Sequence, residues 1–211
     1  MINATPALTK TSRTIAICLL FLGILWMSQA SAKADTITFE QDPLGILPNG
    51  SQSVESNLVR FSASGGGGLI IAPEVGSMEF LGTRGLVVEG TPFVHLIMDF
   101  SVPVNSLSLW FGNDDPHSTS PGDTAILRLF LDGSLVGEAT VLMNRDDFID
   151  QQISFSGVAF NSADFHFSQE FFLAETVDNI EFTPVPEPAS IALLGIGIVG
   201  IIARIRRRAG S

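Results

Sequence analysis

From Phe111 to Asp123 the chain reads Phe-Gly-Asn-Asp-Asp-Pro-His-Ser-Thr-Ser-Pro-Gly-Asp, and from 144 to 147 it reads Asn-Arg-Asp-Asp. These residue types could do chemistry. Asp114, Asp115, Asp123, Asp146 and Asp147 supply carboxylates, and Asn113 and Asn144 supply neutral oxygens. Carboxylates crowded together raise one another's pKa and destabilise the fold unless something compensates. Calcium would compensate, since it takes about six to eight oxygen ligands from carboxylates, amides and carbonyls. The spacing has no EF-hand pattern. The competing reading is a set of solvated loop acids, with Arg145 neutralising one of them.

Other chemistry finds less support. The three histidines, His95, His117 and His166, lack metal-ligand spacing. His95 and His166 alternate with apolar neighbours and read as strand-face residues, while His117 lies in the acidic loop. No serine sits in G-x-S-x-G, so no nucleophile elbow is legible. Carboxylates on opposing strands could serve a glycosidase, but nothing in the linear order pairs them, and the body reads as non-enzymatic. Gly195-Ile196-Gly197-Ile198-Val199-Gly200 matches the dinucleotide fingerprint G-x-G-x-x-G. That loop needs a strand before it and an acid about 20 residues on. Only 11 residues follow Gly200, none of them acidic, and prolines at 184, 186 and 188 break any strand leading in. Nucleotide binding is excluded.

The elements that must position the acidic residues are strands. Val94, Leu96, Met98 and Phe100 alternate with polar residues at period two, as do Leu107, Leu109 and Phe111, and again Ala125, Leu127, Leu129 and Leu131. Asp132-Gly133 is a hairpin signal, and Ser134 to Met143 returns from it. Both acidic stretches therefore fall at one end of a sheet. Further strands are predicted at 36–40, 54–63, 69–72, 85–89, 152–156, 164–168 and 177–183. Short strands separated by Gly-rich breaks such as 65–68 predict an all-β antiparallel sandwich of jelly-roll topology.

The closing strands Ile37-Thr38-Phe39-Glu40 and Val177-Asp178-Asn179-Ile180-Glu181-Phe182 resemble those of galactose-binding-like jelly rolls. The resemblance implies a second calcium candidate, Glu40 with Asp178 and Asn179, where first and last strands meet. Sugar-binding faces of such modules present aromatic rings. The body has no Tyr and one Trp, so Trp110 is the candidate ligand-binding ring.

Charge divides the chain into three parts. Residues 35–183 hold 21 acids against Arg60, Arg84, Arg128 and Arg145, a net of −17. Such a body repels phosphate backbones and excludes nucleic acid as a partner. Residues 1–34 are basic: Lys10 and Arg13 precede an apolar core from Ile15 to Trp26, and Ala32-Lys33-Ala34 fits a signal-peptidase site. This predicts a signal peptide, handled by the Sec machinery and removed with Cys18, the one cysteine. Residues 184–211 end in Arg204, Arg206, Arg207 and Arg208 after 13 uncharged residues, 191–203. A helix of that length spans about 20 Å, a short transmembrane anchor with its arginines on the cytoplasmic side.

The order Val185-Pro186-Glu187-Pro188-Ala189-Ser190, apolar span, arginine cluster resembles the PEP-CTERM sorting signal of Gram-negative and related bacteria. The resemblance implies reading of Pro186, Glu187 and Pro188 by exosortase. It further implies transient anchoring in the inner membrane, then display at the cell surface or release, alongside exopolysaccharide or biofilm production. The expected organisation is a signal peptide at 1–34, a β-sandwich ectodomain at 35–183 and a sorting segment at 184–211. Two readings of the ectodomain stay open, a structural or adhesive surface body and a polysaccharide-binding module.

Overall fold

The computed structural model describes residues 33–73, 82–90, 94–114, 116–146, 148–168, 174–186 and 197. Asp115, Asp147, Glu187 and Pro188, nearly all of the predicted signal peptide and span, and the four terminal arginines lie outside the described residues. Among the described residues no helix is long and apolar enough to cross a membrane. Ala32–Val185 form one compact unit.

Period-two alternation becomes ten strands among the described residues: β1 (Asp35–Ile37), β2 (Gly45–Leu47), β3 (Val59–Ala63), β4 (Gly68–Pro73), β5 (Arg84–Glu89), β6 (Leu96–Gly112), β7 (Thr124–Leu131), β8 (Ser134–Leu142), β9 (Gln151–Phe167) and β10 (Glu175–Pro184). Every pairing among them is antiparallel. The β7–β8 turn has positive φ at both central residues, 50° at Asp132 and 80° at Gly133. This matches the right-handed twist of a two-residue hairpin, and glycine carries the second position without steric cost.

Two long strands make the sandwich. The first half of β6 pairs with β3 and with the second half of β9, which continues to β7 and β8. The second half of β6 pairs with β10 and with the first half of β9, and β10 continues to β5, β4 and β2, with β1 also on β10. Sheet I is the second layer and sheet II the first. The register of β6 on β9 shifts on either side of Val104, beside Pro103. Proline has no N–H for the ladder, and here its carbonyl accepts from Val185 N at 2.8 Å instead. This break turns each strand from one layer to the other.

Phenylalanines join the layers. Phe111 of sheet I meets Phe165 and Phe167 of sheet II, with ring centroids 5.6 and 6.0 Å apart. Phe100 of sheet II meets Phe182 of sheet I edge-on at 5.1 Å. All five rings are buried, and such pairs add about 0.5–1.5 kcal/mol each beyond area burial. The fold is thus an all-β antiparallel sandwich of jelly-roll type. The predicted pairs of strands at 93–100 and 106–111, and at 152–156 and 164–168, are instead halves of β6 and β9. Residues 54–58 precede β3 as turns, and β2 had no sequence signal.

Candidate functional site

Alternation along β6 sends Leu107, Leu109 and Phe111 into the core. Ser106, Ser108 and Trp110 therefore stand on the outer face of sheet I. Register does the rest: Ser106 lies opposite Ser156, Ser108 opposite Ser154, and Trp110 opposite Gln152 on β9, while Glu181 of β10 lies opposite Ser108. Ser106, Ser108, Ser154, Ser156 and Glu181, with Leu107 and Phe155, line an open groove of about 200 Å³. Trp110 stands about 7 Å further along the same strand and face. Its ring is half-buried and packs with Ile70, Ala72 and Ala174 around Val87 and Ile149. Four hydroxyls, a carboxylate and an indole thus share one face. Trp110 was legible in the sequence. The serines were not, because only strand register sets them side by side.

The acidic edge is organised differently. The hairpin brings its two loops together, with Met143 N donating to Asp123 O at 3.0 Å. Asn113 and Arg145 both adopt left-handed backbone, φ 66°. Arg145 N donates to Asp114 Oδ2 at 2.8 Å, while its guanidinium donates to Pro116 O at 2.8 Å, Thr119 O at 2.9 Å and Thr119 Oγ1 at 3.2 Å. Asp123 accepts from Ser120 N, and Asp146 from Phe148 N and Asn144 Nδ2. The side chain that reaches across the edge is therefore Arg145. Asp114 is fully buried, and its Oδ1 has no hydrogen-bond partner.

Glu40 is held away from the final strand. Its carboxylate accepts from Thr83 N and Oγ1 at 2.5 Å each and from Arg84 N at 3.1 Å. The Thr83 hydroxyl first, then the two N–H groups, hold its pKa below the ordinary carboxylate value against a smaller desolvation effect. Asp178 is buried in β10 opposite Trp110, with Oδ1 accepting from Asn179 N.

Residues 184–208 match the family model of the PEP-CTERM protein-sorting motif. The chain therefore carries a motif that marks it for export and sorting to the cell surface. No curated protein matches the chain. Among solved structures it is similar to the K2 cleaved adhesin domain of Lys-gingipain, at 13% identity over 72% of this chain and 98% of that one, with a TM-score of 0.49. It is also similar to the CBM22-1 xylan-binding domain of Paenibacillus barcinonensis Xyn10C, at 11% identity, 74% and 97% coverage and a TM-score of 0.40. A third is a family 6 carbohydrate-binding module of Clostridium stercorarium solved with cellobiose, at 17% identity, 59% and 87% coverage and a TM-score of 0.36.

Proposed function

We propose that this sorted protein is a non-catalytic surface body that binds a neutral polysaccharide along the outer face of sheet I. The groove of Ser106, Ser108, Ser154, Ser156 and Glu181, continued by Trp110, carries the reading. Hydroxyls and a carboxylate on a flat antiparallel face can exchange hydrogen bonds with sugar hydroxyls at close to no net cost. An indole supplies the apolar surface on which a pyranose ring lies. The net charge of −11 disfavours acidic glycans at long range. Exosortase processing at Pro186-Glu187-Pro188, passage through the inner membrane and association with exopolysaccharide complete the proposal.

Affinity electrophoresis of the full-length chain through soluble β-glucan, xylan and alginate tests the face. Retardation by a neutral glycan, lost in Trp110→Ala and weakened in Glu181→Gln, is the expected result. Retardation that survives Trp110→Ala, or none in any neutral glycan, would overturn it. Sorting is tested separately in the native host: alanines at 186–188 should leave unprocessed chain in the inner membrane. Normal processing of that variant would remove exosortase from the account.

A further inference from the structure

On the outer face of sheet II, strand register gathers three side chains that are scattered in sequence. Leu96 lies opposite Phe165, so His95 falls opposite His166, and Ile97 lies opposite Asp164. The two imidazoles stack with centroids 4.1 Å apart and planes 12° from parallel. Both turn Nδ1 toward one carboxylate: His95 Nδ1 lies 2.9 Å from Asp164 Oδ1 and 3.0 Å from Oδ2, and His166 Nδ1 lies 3.0 Å from Oδ1. The ligand atoms of the three residues fall within 4.8 Å of one another, the set of this kind found among the described residues.

We propose that His95, Asp164 and His166 form a binding site for a divalent first-row transition-metal ion. Bonds of about 2.0–2.1 Å at tetrahedral angles place neighbouring ligand atoms about 3.3 Å apart, and the two nitrogen–carboxylate separations here are 2.9 and 3.0 Å. Two imidazoles with one carboxylate suit Zn(II), Fe(II), Co(II) or Ni(II), and the oxygen-preferring Mg(II) and Ca(II) poorly. Coordination through Nδ1 uses that nitrogen's lone pair, so an imidazole that binds the ion this way carries its proton on Nε2. His95 and Asp164 side chains keep 23% and 18% of their exposure, so an ion can enter and retain water.

The surroundings keep the three groups available. His95 N donates to Ser64 Oγ at 2.9 Å and Ser64 N to His95 O at 3.0 Å, which pins the start of β6. Arg128 lies opposite Asp164 in register but is paired with Glu138 on β8 at 2.9 Å.

The test uses the full-length chain without a histidine tag, stripped with chelator and titrated calorimetrically with Zn(II). Uptake of one ion per chain at micromolar concentration is expected, with a rise in Tm that Mg(II) does not reproduce. The shape-conserving variants His95→Gln/His166→Gln and Asp164→Asn should lose that uptake. Undiminished uptake by the double variant, or none by the wild-type chain, overturns the site. A second readout needs no variant: Co(II) should shift the imidazole resonances of His95 and His166. Perturbation of His117 alone would place the ion elsewhere and likewise overturn the site.

Discussion

The acidic edge and the outer face of sheet I meet at the end of β6 and the start of β9, yet they treat polar groups in opposite ways. At the edge, Asp123 and Asp146 accept from backbone N–H groups two or three residues away, and Asp114 accepts from Arg145 N across the two loops. On the face, Ser106, Ser108, Ser154, Ser156 and Glu181 are separated by up to 75 positions in sequence and come together only through register. Residues close in sequence tend to satisfy one another in turns and caps. The serines and Glu181 brought together across strands line an open groove instead.

The comparison breaks most severely at Gly112, where the last residue of β6 passes under the loop that follows β8. A Cβ there would lie 2.2 Å from Phe148 O and 2.6 Å from its carbonyl carbon. Both neighbours are backbone, so nothing flexible can give way. Gly112→Ala should cost about 3 kcal/mol, the upper end of overpacking effects, and detach the edge from the end of the sheet. Denaturant unfolding of the full-length chain measures this, and a loss under 1 kcal/mol, roughly a surface-substitution effect, would show that the approach is not required.

Arg145→Ala tests whether the edge is held together by that side chain. Three guanidinium hydrogen bonds to the 116–119 segment would be lost. Charge-assisted bonds of this kind, partly replaced by water, predict a loss of about 2 kcal/mol, or roughly 4–8 °C in Tm. The face should be indifferent: glycan retardation of Arg145→Ala should match wild type. Loss of glycan binding at normal stability would instead make the edge part of the binding surface.

Strand identity was legible because one buried face imposes period two, and Asp132-Gly133 was legible because few residues accept its backbone. The continuity of β6 and β9 was not. Pro103 and Gly157 look like breaks in a linear reading, whereas in the sandwich they are where a strand changes layers. The edge acids and Trp110 could be found by composition. The serine face and the pairing of His95 with His166 could not, since both depend on which residue of one strand faces which residue of another.

Glu175 supplies a pH-dependent test that neither region should influence. It is buried at the start of β10, accepts from Phe167 N at 3.1 Å, and leaves Oε2 without a partner. Desolvation first, and the charge of Asp164 after it, push its pKa well above the ordinary carboxyl value. The folded state then keeps a proton that the unfolded state releases. Stability should be full below the unfolded carboxyl pKa and fall as pH rises from there toward the raised folded value. Glu175→Gln should flatten that decline in a series of melts at stepped pH. An unchanged slope would show that other groups cause it.

The smallest effect concerns calcium, which the sequence proposes for the acidic edge, and it bears directly on the contrast between edge and face. Asp114 Oδ1 is the buried atom that favours an ion. Against it, Arg145 already donates to Pro116 O and to both oxygens of Thr119, the carbonyls and hydroxyl that a calcium ion would use. Two cations cannot share those oxygens without repulsion, so the ion and the guanidinium compete. Calcium should therefore raise the Tm of Arg145→Ala by more than that of the wild-type chain. An ion bound only by the folded state at a tenfold excess over its Kd returns about 1.4 kcal/mol, enough to restore most of what the variant loses. Asp114→Asn in the Arg145→Ala background should abolish the response, and magnesium at equal ionic strength should not imitate it. If neither chain responds to calcium, the edge holds no calcium site, and Arg145 is the cation that offsets its charge.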